Sequence, residues 1–311
     1  MTTPISIAIH GGAGTISKGQ MTPEKEVDYK QALSNAIQAG YTILSEGGTS
    51  LDAVEAAVTS LEDTPLFNAG KGSVFTHDGK HEMDASIMEG NGRKAGAVAA
   101  VIGIKNPIQL ARKVMENTEH VLLIGAGAME FAKSQGFDEL DESYFYDELR
   151  YKQWQEAKGS NKMQLDHSPL KEHKFGTVGA VALDQYGNLA AATSTGGMTN
   201  KMFGRVGDTP IIGSGNYANN ETCAVSCTGS GEYFLRGVVA YDVSCLMEYK
   251  GYSLQQACEE VIQKRLLAIG GDGGLIAVDR TGNIELCFNT DGMYRGAKSS
   301  SGSQTIAIYK D

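Results

Sequence analysis

Apolar and polar positions along the chain divide it into blocks read as strands, helices, strands, helices and strands. Ile5 to Ile9 is predicted to be a buried strand running into a glycine turn at Gly11, Gly12 and Gly14. Thr22-Pro23-Glu24 has the cap, proline and acid of a helix start, and the periodic stretch that follows ends after Leu44 at Gly47-Gly48. A second helix is expected from a Ser50 cap through Leu51, Val54, Ala57, Val58 and Leu61. Ser73 to Ile104 reads as strands, with a hairpin through His77-Asp78-Gly79-Lys80 and an apolar run from Ala97. Helices are predicted at about Pro107 to Glu116 and Ala126 to Ser134. From Tyr151 to Lys174 aliphatic residues thin out, and about 151–175 is predicted to be a mobile linker. Beyond it come a hairpin (Val178 to Leu183, Leu189 to Thr195), a strand from Cys223 to Thr228, and helices at Glu232 to Tyr249 and Ser253 to Ile269. Strands at Gly274 to Asp279, Ile284 to Asn289 and Thr305 to Tyr309 close the chain.

Consecutive hairpins break the strand-helix alternation that a doubly wound fold requires. The expected class is therefore α+β: a four-layer αββα sandwich, two stacked, mainly antiparallel sheets covered by helices, forming one unit over residues 1–311. GAVALDQYGNLAAATST from Gly179 aligns without gaps on GLIAVDRTGNIELCFNT from Gly274, which suggests two related hairpins of one sheet.

The chemistry centres on Gly176-Thr177. An internal threonine hydroxyl is a poor nucleophile, but a threonine freed at its amine carries its own base, with a reference pKa of roughly 7.7 to 8.0. Glycine before it admits backbone angles that let the hydroxyl reach the preceding carbonyl. Gly-Thr-Val is also ordinary strand sequence, so the neighbours matter. The turn Asp184-Gln185-Tyr186-Gly187-Asn188 returns the chain, and a three-residue loop sets Thr195 opposite Thr177, a four-residue loop one position off.

Composition narrows the function classes. The net charge of −10 argues against a nucleic-acid backbone or an anionic membrane as partner. The first residues lack a basic region and a long apolar core, so a cytoplasmic protein is expected. Five cysteines, all in the last third and without CxxC spacing, read as reduced core thiols.

With these residues in view, the chain resembles the plant-type asparaginase family, the isoaspartyl peptidase/L-asparaginases among the N-terminal nucleophile hydrolases. The resemblance rests on HGGAG at His10 to Gly14, LEDTPLFNAGKGSVFT at Leu61 to Thr76, GTVGAVALD at Gly176 to Asp184, TSTGGMTNK at Thr193 to Lys201, GRVGD at Gly204 to Asp208, SCTGSGE at Ser226 to Glu232 and FNTDGMYR at Phe288 to Arg295. It implies cleavage at Gly176-Thr177 into an α subunit of residues 1–176 and a β subunit of 177–311, with Thr177 as nucleophile and Thr195 aiding proton transfer. It further implies that Arg205 and Asp208 hold the substrate α-carboxylate and α-amine, a role that suits a guanidinium fork. Thr228 and Gly229 match the oxyanion pair, Gly231 a carbonyl that meets the substrate amine, and Asn68 a residue near the site. No cofactor is implied for the chemistry. A structural sodium ion is implied, held by backbone carbonyls of the Leu61 to Lys71 loop, at Leu61, Glu62, Thr64, Phe67, Ala69 and Lys71. Asn216 and Ser230 stand at positions where members of the family are expected often to carry other small residues. The implied substrates are β-aspartyl dipeptides and L-asparagine, and the implied assembly is a dimer of αβ heterodimers.

Three other readings compete with this one. A glycosylated asparagine would be the substrate of a relative with a secretory route, for which no signal peptide is present. Gly125-Ala126-Gly127 after an apolar run hints at a nucleotide site, but Glu130 stands where the third glycine belongs. His77 and His81 have ligand-like spacing without a third ligand and are expected to be solvated hairpin residues.

Overall fold

The computed structural model describes residues 4–19, 21–160 and 176–310. The elements in chain order are β1 (Ser6–Gly14), α1 (Pro23–Ser45), α2 (Ser50–Glu62), β2 (Met83–Glu89), β3 (Ala95–Val101), α3 (Pro107–Asn117), β4 (Leu122–Ile124), α4 (Gly125–Ser134) and α5 (Glu148–Ser160). After 161–175 follow β5 (Val178–Leu183), β6 (Leu189–Thr195), β7 (Asn216–Ala218), β8 (Cys223–Gly229), α6 (Gly231–Gly237), α7 (Val239–Lys250) and α8 (Leu254–Glu259). The chain ends with β9 (Gly273–Asp279), β10 (Ile284–Phe288), β11 (Gly292–Ser299) and β12 (Gln304–Tyr309).

The strands form two sheets, ordered β12-β11-β1-β5-β6-β2-β3-β4 and β10-β9-β8-β7. All pairings are antiparallel except β3 with β4. Strand alternation sorts side chains between two cores. Ile7, Ile9, Val178, Ala180 and Ala182 point to the helices α1, α2 and α3, whereas Ala8, Val181, Leu183 and Ala191 point to the smaller sheet, which α7 and α8 cover from outside. This is the expected αββα sandwich. The central strands are buried on both faces, so polar residues between the sheets are dry and must find partners inside the protein.

Local expectations hold where side chains carry the signal. Thr22 Oγ1 accepts from the Lys25 N–H at 3.3 Å, and Pro23 opens α1. The α2 cap is Thr49 rather than Ser50: its hydroxyl accepts from the Asp52 N–H at 3.1 Å, while the Ser50 N–H donates to Asp184. Ser73 to Glu82 is not strand. A turn does form at His77 to Lys80, closed by the Thr76 N–H on Lys80 O, but its flanks bond to the 200–201 loop and to side chains, and the hairpin lies between β2 and β3.

The helix expected from Glu232 to Tyr249 is broken at Val238, whose φ of 47° is left-handed, an unfavourable geometry for a β-branched residue. The helix expected to Ile269 becomes a π-helical stretch over Glu260–Leu266. The two aligned hairpins lie in different sheets: β5 and β6 in the larger, β9 and β10 in the smaller. β11, absent from the sequence reading, is the antiparallel partner of β1.

Residues 151–160, read as the start of the linker, continue α5, where Trp154 stacks on Phe75 with ring centroids 5.4 Å apart. The aromatic residues there supply an apolar face that the mean composition of the segment concealed. The remainder of that expectation, 161–175, lies outside the described residues.

Candidate active site

The β5–β6 register pairs Val178 with Ser194, so Thr177 and Thr195 stand opposite each other just beyond the ladder. Both side chains face the smaller sheet, and the Thr177 hydroxyl donates to that of Thr195 at 3.2 Å. Asp184 makes this register. Its N–H bonds Asn188 O, and its carboxylate accepts from the N–H groups of Tyr186 and Asn188, leaving a three-residue loop. Thr195 is itself held, because its oxygen accepts from the Gly197 N–H at 3.0 Å.

Across the interface, β8 brings Thr228 beside Gly176. The Thr228 hydroxyl is fully buried, lacks a hydrogen-bond partner among the described residues, and lies 2.9 Å from where a Gly176 Cβ would sit. A Cβ on Gly12 would stand 2.4 Å from the Gly176 nitrogen, so the HGGAG turn must be glycine for the chain to pass beneath it. Gly229 follows Thr228 where β8 and β9 approach too closely for any side chain.

Arg205, Asp208 and Gly231 form a second group. A Cβ on Gly231 would lie 2.8 Å from both Arg205 Nη2 and Asp208 Oδ1. The Arg205 fork donates from Nε and Nη2 to both carboxylate oxygens of Glu232, at 2.8 and 3.0 Å. Glu232 went without a role in the sequence reading, although it ends the SCTGSGE motif. It holds the guanidinium in a two-bond fork against the start of α6. Burial pushes the Asp208 carboxyl up to about 7, against the lowering effects of its own backbone N–H and of Arg205. Its Oδ2 has no hydrogen-bond partner among the described residues.

The remaining predicted residues act at longer range. Asn68 spends its amide on the backbone, donating to Gly197 O at 2.7 Å and accepting from the Val74 N–H at 3.1 Å. It braces the turn that bonds Thr195. In the Leu61 to Lys71 loop, a Cβ on Gly70 would meet Glu62 O at 2.5 Å, and one on Gly72 would meet Phe67 O at 2.1 Å. The glycines thus let the loop pack closely on the Glu62 and Phe67 carbonyls, and Phe67 O also accepts from the Ala69 N–H at 3.0 Å. The Glu62 side chain, not singled out from sequence, is buried and accepts from Ser194 at 2.6 Å and from the Ile108 N–H at 3.1 Å. Burial pushes its carboxyl up to about 8.

His81 is not solvated as expected: it is buried against Phe75 and bonds Ser73 O through Nδ1, while His77 bonds Asn200. No metal-binding group of three His, Cys, Asp or Glu residues exists among the described residues. His10, quoted only as part of a motif, lies directly beneath Thr177, with Nδ1 2.9 Å from its carbonyl oxygen. Its strand neighbours are apolar, so its sequence position alone marks it as a core residue and nothing more.

A buried pair of hydroxyls at a glycine-threonine junction, an unpaired hydroxyl facing it, and an Arg/Asp/Gly recess define an amidohydrolase-type site. The chain belongs to the asparaginase family, whose model matches residues 2–308. It is 54% identical to an isoaspartyl peptidase of Salmonella typhimurium, with 98% of each chain covered. It is 53% identical to the isoaspartyl peptidase of Escherichia coli, covering 98% of this chain and 96% of the relative. A plant-type L-asparaginase of Pyrococcus abyssi is 47% identical over 93% of this chain and 94% of its own.

Proposed function

We propose that the protein is an autoprocessing N-terminal threonine amidohydrolase that hydrolyses β-aspartyl dipeptides and L-asparagine to L-aspartate. The observation that carries this reading is the 3.2 Å pairing of the Thr177 and Thr195 hydroxyls beside the Thr228 hydroxyl, which has no hydrogen-bond partner among the described residues. Names and identities of the relatives support the substrate class.

In the uncut chain Thr177 Oγ attacks the Gly176 carbonyl, and its hydroxyl proton passes, with the Thr195 hydroxyl as relay, to the departing Thr177 nitrogen. The peptide C–N bond breaks, freeing the α-amine of Thr177, and water hydrolyses the resulting ester to leave residues 1–176 and 177–311. In the mature site that amine removes the Thr177 hydroxyl proton while Oγ attacks the substrate side-chain carbonyl. The oxyanion lies between the Thr228 hydroxyl and the Gly229 N–H. The C–N bond breaks, and the amine returns the proton to the leaving ammonia or amino acid. Water then adds to the ester with the same amine as base, and aspartate leaves. Arg205 takes the substrate α-carboxylate, Asp208 its ammonium, and the Gly231 carbonyl the same ammonium.

The Leu61 to Lys71 loop would hold an alkali cation through Leu61, Glu62, Thr64, Phe67, Ala69 and Lys71, stiffening the chain around Asn68 rather than entering the chemistry. The reading extends to an assembly of two αβ units and to a cytoplasmic setting, where free thiols persist. Cys223 and Cys227 are buried and unbridged, and burial pushes the Cys223 thiol up to about 12. No helix among the described residues is long and apolar enough to cross a membrane.

Intact mass under denaturing conditions tests the reading. Wild type should separate into fragments of 1–176 and 177–311 that release aspartate from β-aspartyl dipeptides, and Thr177→Ala should stay whole and inactive. An uncut wild type that nevertheless turns over substrate would overturn the mechanism.

A further inference from the structure

The ladder between β1 and β5 ends at the pair His10 and Gly179, because β1 bulges between His10 and Gly12. Thr177 therefore lies beyond the backbone pairing with β1, and its carbonyl is met by a side chain. His10 Nδ1 lies 2.9 Å from that oxygen, and Nε2 lies 2.9 Å from Ser226 Oγ. Ser226 Oγ lies 2.8 Å from Thr193 Oγ1, which also accepts from the Asn216 side-chain amide at 3.3 Å.

Proton bookkeeping gives this chain one direction. A carbonyl can only accept, so Nδ1 carries a proton. The imidazole is fully buried with no anion bonded to it, and burial drives its pKa down to about 3, so it is neutral and Nε2 must accept. Ser226 therefore donates to Nε2, while the single Thr193 hydroxyl proton lies between Ser226 Oγ at 2.8 Å and Gly215 O at 3.2 Å, and Thr193 Oγ1 accepts from Asn216. The space is reserved for this arrangement: a Cβ on Gly179 would stand 2.0 Å from Ser226 Oγ and 2.5 Å from His10 Nε2. These hydrogen bonds, dried between two sheets, restrain the imidazole, although Asn216 Oδ1 at the far end of the array has no hydrogen-bond partner among the described residues.

We propose that His10, polarised through Ser226 and Thr193, is a positioning residue that tethers the Thr177 carbonyl and so holds the nucleophile in place once cleavage makes it a chain terminus. The inference rests on Thr177 being the nucleophile. A new terminus loses the constraint of the preceding peptide and frays unless tied down. With its carbonyl pinned, rotation about the Cα–C bond of Thr177 is blocked, which keeps Oγ and the amine aimed at one point. The tether touches neither Arg205 nor Asp208, so it acts on turnover more than on substrate capture.

Two measurements on the mature protein test this. Nitrogen-15 NMR of the imidazoles, with His10 assigned by the loss of its signals in His10→Leu, should show a neutral Nδ1–H ring that does not titrate between about pH 5 and pH 8. Kinetics normalised to the cleaved fraction should show His10→Leu losing about 10²-fold in kcat with little change in KM. His10→Asn, whose amide can occupy the Nδ1 position, should recover much of the loss. An Nε2–H ring, a titrating ring, or a folded His10→Leu enzyme with wild-type kcat overturns the proposal, as does equal loss in the Leu and Asn variants.

Should His10→Leu fail to fold, Ser226→Ala decides, and the ring is then assigned by its shift in that variant. A lowered kcat with a perturbed His10 spectrum supports the tether, and an unchanged kcat removes it. An inactive wild type would refute the functional reading, whereas an active wild type with the other tautomer refutes only the tether.

Discussion

Gly231→Ala separates the two halves of the site. The added methyl would sit 2.8 Å from both Arg205 Nη2 and Asp208 Oδ1, whereas ordinary contact begins at 3.4 Å, so each group must withdraw by about 0.6 Å. Neither can withdraw freely: Glu232 holds Arg205 through two hydrogen bonds, and Asp208 is buried. The substrate α-carboxylate and ammonium then meet displaced partners, and a misplacement of this size in a positioning group lowers kcat/KM by about 10²-fold.

The backbone should accept the change, because Gly231 begins α6 without a left-handed φ and alanine is the better helix former. Gly176, Thr177 and Thr228 lie outside the clash, so cleavage should proceed. The assay is steady-state kinetics on a β-aspartyl dipeptide, with intact mass and thermal unfolding run on the same sample. Normal cleavage, a modest fall in melting temperature from the overpacking and a rise confined largely to KM are expected. A variant with wild-type kcat/KM would show that substrate does not bind in this recess, and one that fails to cleave would show that the two halves are not independent.

Other expectations follow from the same geometry. Thr228→Val, which keeps the shape but removes the hydroxyl, should lower kcat by about 10²- to 10³-fold in pre-cleaved enzyme, measured by single-turnover kinetics. Because burial raises Asp208 to about 7, kcat/KM should fall as pH drops through 7 and the protonated carboxyl ceases to pair with the substrate ammonium. The Asp208 part of that fall should be absent from kcat, where bound ammonium keeps the carboxylate charged, and absent in Asp208→Asn, which should keep only the acid limb of the Thr177 amine.

Glu62 is raised to about 8, so its stabilising contribution is complete below the ordinary carboxylate value near 4.5 and is lost as pH rises through 8. Glu62→Gln should therefore flatten the alkaline fall in melting temperature. Replacing sodium by a bulky organic cation should lower the melting temperature and activity together. An unchanged melting curve would leave the Leu61 to Lys71 loop without its proposed ion.

Elements whose cause is local were legible in the sequence. The Thr22-Pro23 start of α1, the Asp184 to Asn188 turn and the opposition of Thr177 and Thr195 depend on residues a few positions apart, and side-chain chemistry at that range dictates them. Arg205, Asp208, Thr228 and Gly231 were singled out by the resemblance of whole motifs to a family, not by anything in their own local composition. What the chain could not disclose depends on partners more than a hundred residues away. His10 reads as one polar residue in a buried strand until β5 and β8 bring Thr177 and Ser226 to its two nitrogens.

The α5 helix, read as linker, is held by the Trp154 and Phe75 rings, and the two similar hairpins were assigned to one sheet because alternation repeats every two residues in either. Chain order and periodicity thus determined the class of fold and the placing of Thr177 opposite Thr195. The tertiary structure decided which polar groups are dry, and hence which must bond, titrate or stand ready for a substrate, because that depends on what covers each face.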